Sequence, residues 1–456
     1  MDWGADRKVL LRLYRSLVRS QLDYGSIVYG SAPKSYIQML EPVQNQALRI
    51  CLGAYRTSPK ESLEVEADEL PLALRREKLA LQYVLKLKSN PSNPAHSCVF
   101  DPKFSDLFKA KPKIVPPLGV RIQEILPLLN VDLDLVATYE FSETPPWTYQ
   151  DVQVDWRLSE YVKGDTSPDV FLSEFRRIKS DYIGHKFIYT DGSKFDERVG
   201  AAAVRLQDDI AGCCRLPDHS SIFTAELRAI DCALHQIQSL HSNNFIIVSD
   251  SRSALQALQG DDLQNPMIMS LKEKLHLIRT ETDKVIKFMW VPSHTGIKGN
   301  EVADTKAKEA ATKLHVAPNQ TVPYSDFKCL INPFIKKKWQ SSWDDQSENK
   351  LHAIQPSLGL WPHSVRKSRR EELILSRLRI GHSHLTHSYL LKREDQPECV
   401  PCQCPLTIKH ILIDCLDFAD IRQQFYDVPD MKTLFETVSP DNIVAFIKEI
   451  GLYYKL

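Results

Sequence analysis

The sequence predicts an α/β chain in which residues 184–313 form a mixed five-stranded sheet with flanking helices, preceded by a helical segment and followed by a small cysteine-rich region. Three observations predict it. Hydrophobic spacing changes at Lys186 from the three-and-four rhythm of helices to short β-branched and aromatic runs. Two of those runs end in aspartate, at Asp191 and Asp250, and four cysteines with a histidine crowd residues 399–415. A chain of 456 residues also exceeds a single hydrophobic core, so several structural units are expected.

Lys plus Arg and Asp plus Glu balance at 58 each, so a nucleic-acid surface must be a local patch and cannot follow from net charge. The start, Met1-Asp2-Trp3-Gly4-Ala5-Asp6-Arg7-Lys8, lacks the apolar core of a signal peptide, and no apolar run approaches a membrane span. The expectation is an intracellular protein, nuclear or cytoplasmic, neither secreted nor partnered with a membrane. Cys51, Cys98, Cys213, Cys214, Cys232 and Cys329 read as buried thiols of a reducing compartment.

Residues 1–90 read as helical. The first stripe is Leu10, Leu13, Tyr14, Leu17 and Val18 with Lys8, Arg12, Arg15 and Arg19 between. The second is Leu40, Val43, Ala47, Ile50 and Cys51, stopped by Gly53 as a left-handed cap. Residues 91–183 read as a Pro-rich linker, interrupted at Pro91, Pro94, Pro102, Pro112, Pro116, Pro117 and Pro145-Pro146, with Trp147 and Trp156 as anchors to a neighbour.

From Lys186 the elements follow in the order βββαβααβα. Residues 186–191 form a strand followed by a turn at Gly192, and 199–206 and 209–216 two more strands. Ser221 caps a helix whose stripe is Phe223, Leu227, Ile230, Leu234 and Ile237. Phe245 to Asp250 is a buried strand, Ser251 caps the next helix, another helix spans about 264–280, and 285–291 is the fifth strand, stopped by Pro292.

Asp191 and Asp250 thus stand at the carboxyl ends of apolar strands, where open α/β sheets place ligands. Bringing carboxylates together there is unfavourable by several kcal/mol unless a cation compensates, and a hard divalent ion with oxygen ligands is the natural remedy. Glu226 reads as lying in the first turn of its helix, and Asp304 as opening the last one. Either alone reads as an acid at a helix N-terminus, worth about 0.3–1 kcal/mol; the conjunction reads as a metal site. His294, on the loop after the fifth strand, is either a plain surface histidine or an auxiliary proton carrier, not a metal ligand.

Thr190-Asp191-Gly192-Ser193, Thr224-Ala225-Glu226-Leu227, Ser249-Asp250-Ser251, and Pro292-Ser293-His294-Thr295-Gly296 through Gly299-Asn300-Glu301-Val302-Ala303-Asp304 resemble, in order and interval, the motifs of type 1 ribonuclease H. The resemblance implies a ribonuclease H-like fold for 184–313 and cleavage of the RNA strand of an RNA–DNA hybrid. It implies two Mg²⁺ ions, replaceable by Mn²⁺, held by Asp191, Glu226, Asp250 and Asp304, with Asp191 bridging both. It also implies that Glu226 reads the RNA 2′-hydroxyl, the group that distinguishes RNA from DNA.

Cys399-x2-Cys402-x7-His410-x4-Cys415 offers three thiolates and an imidazole, a complement for a closed, structural tetrahedral Zn²⁺ site, with Cys404 as a competing ligand. This is the zinc-knuckle-like segment 396–420, between a basic helical connector, 314–395, and a helical tail, 421–456. Residues 361–393 hold Arg366, Lys367, Arg369, Arg370, Arg377, Arg379, Lys392 and Arg393 against Glu371 and Glu372, a run that suits either phosphate contact or a solvated helix face. His382, His384 and His387 lack cysteine or acid partners and read as a turn and helix start.

Nearly all of the chain resembles the C-terminal part of the polymerase polyprotein of a non-LTR retrotransposon of the Jockey or I type. Arg15-Ser16-Leu17-Val18 through Leu22-Asp23-Tyr24-Gly25, with Gln44-Asn45-Gln46-Ala47-Leu48-Arg49, looks like the thumb after a reverse-transcriptase core, and Arg377-Leu378-Arg379-Ile380-Gly381-His382 with the knuckle looks like the polyprotein tail. Asp208-Asp209, Asp261-Asp262 and Asp344-Asp345 lack the flanking apolar strands of a polymerase metal site, so reverse transcription by this chain alone is not expected. The implied partners are RNA–DNA hybrid, other nucleic acid and a retroelement ribonucleoprotein. A nucleic-acid-binding remnant without turnover, or a zinc-containing ribonucleoprotein adaptor, remain as other readings.

Overall fold

The structure is a computed structural model that describes residues 4–111, 113–138, 144–260, 265–318, 320–361, 366 and 368–456. Met1, Asp2, Trp3, Pro112, Asp261, Asp262 and Lys367, named above, lie outside the described residues. The chain divides into two compact units. One comprises Gln82–Asp101 and Ile125–Ile331, the other Met1–Leu81, Pro102–Glu124 and Asn332–Leu456.

The first unit is built on six strands, β1 (Val154–Asp155), β2 (Lys186–Phe195), β3 (Arg198–Arg205), β4 (Ile210–Leu216), β5 (Asn244–Ser249) and β6 (Val285–Trp290). Their order is β1-β6-β5-β2-β3-β4. The pairs from β1 to β2 are parallel, and β3 and β4 add antiparallel strands. The sequence predicts five strands; the sixth, β1, comes from the Pro-rich stretch, where Val154 and Asp155 pair with Phe288 and Met289. Two residues carry no detectable alternation, which is why pattern alone misses it.

From β2 onward the order is βββαβααβα, with helices Ile222–Gln238, Arg252–Gln259, Pro266–Thr282 and Lys298–Ala311. Period-two alternation divides the apolar strand residues between two cores. Ile188, Phe245, Ile247 and Phe288 pack with Leu227, Ile230, Leu255 and Leu271 on one face. Phe187, Tyr189, Ile246, Val248 and Met289 pack on the other with Phe171, Phe175 and Ile178. Those last three belong to the helix Pro168–Ser180, a second element supplied by the stretch read as linker. Trp156 packs against the first core, as expected of an anchor, whereas Trp147 is exposed.

β2 does not stop at Asp191. It stays paired with β3 to Phe195↔Arg198, and the chain reverses at Asp196, in the left-handed region at φ 52°. Gly192 therefore lies inside the strand and is not a turn residue. A Cβ there would stand 2.6 Å from the backbone nitrogen of Glu226, so glycine permits the close approach of strand and helix. On the other side, a Cβ on Gly200 would meet the Ala307 carbonyl at 2.3 Å, and the small residues Ala303, Ala307, Ala310 and Ala311 bring the helix Lys298–Ala311 equally close.

In the second unit, the helix Glu41–Leu52 ends at Gly53 in the left-handed region, φ 63°, as expected. The predicted stripes are met in part. Tyr14 and Cys51 are buried with Leu11 and Leu48, and Leu10, Val18 and Ala47 pack against them, while Leu13, Leu17, Val43 and Ile50 are exposed. A π-helical turn over Tyr14–Arg19 follows the first helix, and Arg7 enters the buried face because Glu66 receives it at 2.8 Å.

Among the described residues the basic run is largely internal. Arg379 is buried on Glu66, Arg369 donates to the Ile50 and Cys51 carbonyls, Arg377 to those of Gly53 and Leu456, Arg370 to that of Tyr453, and Arg366 pairs with Glu371 and Asp441. Arg369, Arg370 and Arg377 thus close backbone carbonyls, and Arg366 and Arg379 neutralise acids. Lys392 and Arg393 remain exposed. Among the six cysteines read as buried, Cys51 is; Cys98 and Cys329 are exposed, and Cys213, Cys214 and Cys232 are half-buried, with Cys214 and Cys232 packed against cores and their Sγ atoms 3.9 Å apart. Among the described residues no helix is long and apolar enough to cross a membrane.

Candidate functional site

The parallel ladder between β2 and β5 ends at Thr190↔Ser249, and the next residue of each strand is an acid, Asp191 and Asp250. Glu226 faces them from the helix Ile222–Gln238. It is the fifth residue of that helix, beyond its first turn, so a favourable helix dipole does not account for it. The Gly192 backbone N–H lies near the Glu226 carboxylate and opposes the rise in its proton affinity. One ligand oxygen from each of the three acids lies within 4.8 Å of the others.

Burial and mutual repulsion act together here. The Asp191 carboxyl is pushed up to about 8 by burial first, then by the charges of Asp250 and Asp304. Glu226 is raised well above the usual carboxylate range by burial and by Asp191 and Asp250, and Asp250 is raised by burial. Opposing that last shift, buried Asn300 donates from Nδ2 to Asp250 Oδ2 at 3.1 Å, and the charge of His294 lowers it too. Trp290 Nε1 donates to the Asp250 carbonyl at 3.1 Å.

Asp304 stands apart from this trio. The last helix begins at Lys298, so Asp304 is its seventh residue and does not open it, and its Oδ2 accepts from Lys308 Nζ at 2.8 Å one turn on. Its charge still reaches Asp191. His294 is exposed, with φ 54°, on a loop held by Thr295 donating to the Pro292 carbonyl at 2.9 Å and by Gly296 N–H donating to Glu301 at 3.0 Å.

The donor set of the trio is all oxygen, and Glu226 Oε2 is buried with no hydrogen-bond partner among the described residues. A buried carboxylate oxygen without a donor is satisfied by a hard cation, so the residues present fit Mg²⁺.

The C-terminal cluster is assembled by a short hairpin, β7 (Glu398–Cys399) with β8 (Cys404–Pro405), and the π-helical turn His410–Asp414. Cys399, Cys402, His410 and Cys415 each bring a ligand atom within 4.8 Å of the others, a closed set suited to zinc. Cys404 lies outside this set, its Sγ 3.4 Å from His410 Nδ1. His384–His387 form a short helix capped by Ser383, and the group is no metal cluster among the described residues.

Sequence reasoning missed Asn300 as a support of Asp250, although it stands within the motif. It also missed Asp326, which accepts from Ser221 N–H at 2.7 Å, Ser221 Oγ at 3.1 Å and Thr224 Oγ1 at 2.6 Å, and so caps the helix that carries Glu226. No local signal marks a partner 102 residues away.

Comparison with known proteins gives a family model, a viral relative and solved structures. The Gag-Pol polyprotein of feline leukemia virus is 27% identical over 271 residues, covering 51% of this chain and 15% of the polyprotein, so the chain spans a small part of that relative. LC11-RNase H1, isolated from compost, superposes with a TM-score of 0.24 at 20% identity, over 28% of this chain and 96% of that one. RNase H1 from the archaeon Halobacterium salinarum NRC-1 does so with 0.22 at 22% identity, over 28% and 97%. Residues 184–312 match the model of the RNase H family, and over that segment, which holds Asp191, Glu226, Asp250, His294 and Asp304, this chain is similar to RNase H.

Proposed function

We propose that this chain hydrolyses the RNA strand of RNA–DNA hybrids in a Mg²⁺-dependent reaction centred on Asp191, Glu226, Asp250 and Asp304. The observation that carries the proposal is the trio of carboxylates gathered within 4.8 Å at the sheet edge, inside the segment similar to RNase H. Three acids held with raised proton affinity in a shared pocket are poorly suited to a purely structural role.

Asp191, which feels the charge of Asp250 and Asp304 and imposes its own on Glu226, would hold divalent ions together with them. Two divalent ions bound there supply activation of the attacking water and charge neutralisation at the leaving 3′ oxygen. Asn300 keeps the Asp250 carboxylate oriented, and Asp326 holds the helix that aims Glu226. Glu226 is also the residue proposed to meet the RNA 2′-hydroxyl. His294, exposed on its pinned loop near Asp250, moves protons at the departing product. Asp304 completes the set by leaving Lys308, a side-chain rotation on an exposed helix face.

The Gag-Pol similarity supports origin in a retroelement polyprotein, and the Jockey or I assignment rests on the flanking motifs. Cys399, Cys402, His410 and Cys415 are proposed to hold a structural Zn²⁺. The test is cleavage of a labelled RNA–DNA hybrid, double-stranded RNA and double-stranded DNA with and without Mg²⁺. Cleavage of the hybrid alone, abolished in Asp250→Asn, is expected; equal cleavage by Asp250→Asn would refute the site.

A further inference from the structure

The sheet edge that carries the acids continues past them. Along the parallel ladder, Ser249 lies opposite Trp290 and Met289 opposite Asp155, so Asp250, Trp290 and Trp156 follow one another on the same edge. Trp156 comes immediately after β1, outside the segment similar to RNase H. At about 4.8 Å between strands, Trp156 is two strands, or about 10 Å, from Asp250.

The two indoles are 6.5 Å apart between ring centres and inclined by 33°. Both ring N–H groups are used internally. Trp156 Nε1 donates to Gln259 Oε1 at 3.0 Å, and Trp290 Nε1 to the Asp250 carbonyl at 3.1 Å. These bonds fix the ring planes, and what the half-buried rings still offer is their faces. Arg252, two residues after Asp250, holds its guanidinium 5.9 Å from the Trp156 ring centre. The Arg252 backbone N–H donates to the Asp250 carbonyl at 3.0 Å, while its exposed guanidinium makes no hydrogen bond or ion pair among the described residues. An unpaired guanidinium over an oriented indole, beside a row of carboxylates, offers a phosphate ligand and a stacking face together.

We propose that Trp156, Trp290 and Arg252 form a shelf for one unpaired nucleotide of the nucleic-acid strand leaving the acidic site, its base against the indoles and its phosphate on Arg252. This rests on the reading that the neighbouring acids bind an RNA–DNA hybrid. A base already paired and stacked within a duplex has no face to give, so the occupant is a single-stranded extension of the hybrid.

The experiment measures binding of the full chain, in EDTA, to a blunt fluorescent hybrid and to the same hybrid with a short single-stranded DNA extension at one end or the other. The extension at one end is expected to tighten binding about tenfold. That ratio should fall to about one in Arg252→Ala and Trp156→Ala and stay near the wild-type value in Trp156→Phe. Because Trp156 also ties β1 to Gln259, Arg252→Ala decides if Trp156→Ala does not fold. A wild-type ratio of one at both ends, its persistence in Arg252→Ala, or no binding to any of these ligands would overturn the shelf. Failure of Mg²⁺-dependent cleavage with the ratio intact would count against the proposed reaction and not against the shelf.

Discussion

Asp326 accepts a 2.6 Å hydrogen bond from the fully buried hydroxyl of Thr224, two residues before Glu226. Removing that carboxylate strands the Thr224 hydroxyl and the Ser221 N–H, a loss of about 1–3 kcal/mol for each buried group left unpaired. Asp326→Ala is therefore expected to lower the melting temperature and, through a loosened Glu226, to slow hybrid cleavage. Asp326→Asn, which keeps one acceptor oxygen, should fall between. Unchanged melting and cleavage in Asp326→Ala would remove its positioning role.

The acids at the sheet edge are a burden on the fold. Asp191 is raised from 3.8 to about 8, so the unfolded chain releases its proton at lower pH than the folded one. Stability associated with this group is complete below about pH 4 and is lost as pH rises through about 8. In metal-free buffer, Asp191→Asn should melt higher than wild type at pH 8.5 and close to it at pH 4, while its Mg²⁺-dependent cleavage drops by about 100-fold or more. Thermal scans at the two pH values, beside the cleavage assay, read both halves.

A methyl group on Gly192 would meet Ala225 and the Glu226 backbone within 2.8 Å. Neither the strand nor the helix backbone can yield cheaply, so Gly192→Ala should destabilise by about 1–3 kcal/mol and displace Glu226. Urea unfolding and cleavage should both suffer; wild-type values in both would mean that the close approach is dispensable.

His382 and His387 stack with ring centres 3.8 Å apart. Burial lowers His382 from 6.5 to about 3 and His387 to about 4, and Lys350 Nζ, 2.8 Å from His387 Nε2, adds its charge against protonation. The folded pair stays neutral where the unfolded chain takes up protons. Stability from this pair is present above about 6.5 and declines as pH falls toward 4. His387→Gln should flatten that decline in urea midpoints between pH 7 and pH 5.

One equivalent of zinc is expected in the purified chain, lost in Cys399→Ser and Cys415→Ser. Cys404, outside the four-ligand group, should be replaceable by serine with zinc retained. Metal analysis of the three variants distinguishes this from a site in which Cys404 displaces one of the four.

Legibility followed chemistry at short range. Asp191 and Asp250 were readable because apolar strands that end in acids are rare, and the order of elements from β2 was readable because its periods are long and clean. Gly192 was misassigned because glycine signals a turn and a close approach alike, and only the helix laid across it discriminates. β1 was lost among prolines, although Phe171, Phe175 and Ile178 on the following helix carry a helical spacing that marked the stretch as structured. Arg369, Arg377 and Arg379 looked like a cationic surface because their acceptors, Cys51, Gly53 and Glu66, lie more than three hundred residues away.

The Glu66 side chain, with no solvent exposure, is held by Arg7 and by Arg379, which lies 313 residues further along the chain. On the ribosome, that carboxylate waits for its second guanidinium until Arg379 has been made, whereas every strand of the six-stranded sheet, which ends at Trp290, has emerged before. A buried charge without its partner opposes compaction, so protease protection of stalled nascent chains should come to the sheet first and to residues around Glu66 only after Arg379 emerges. The unit that holds Glu66, although Glu66 precedes the sheet in the chain, is the last to close.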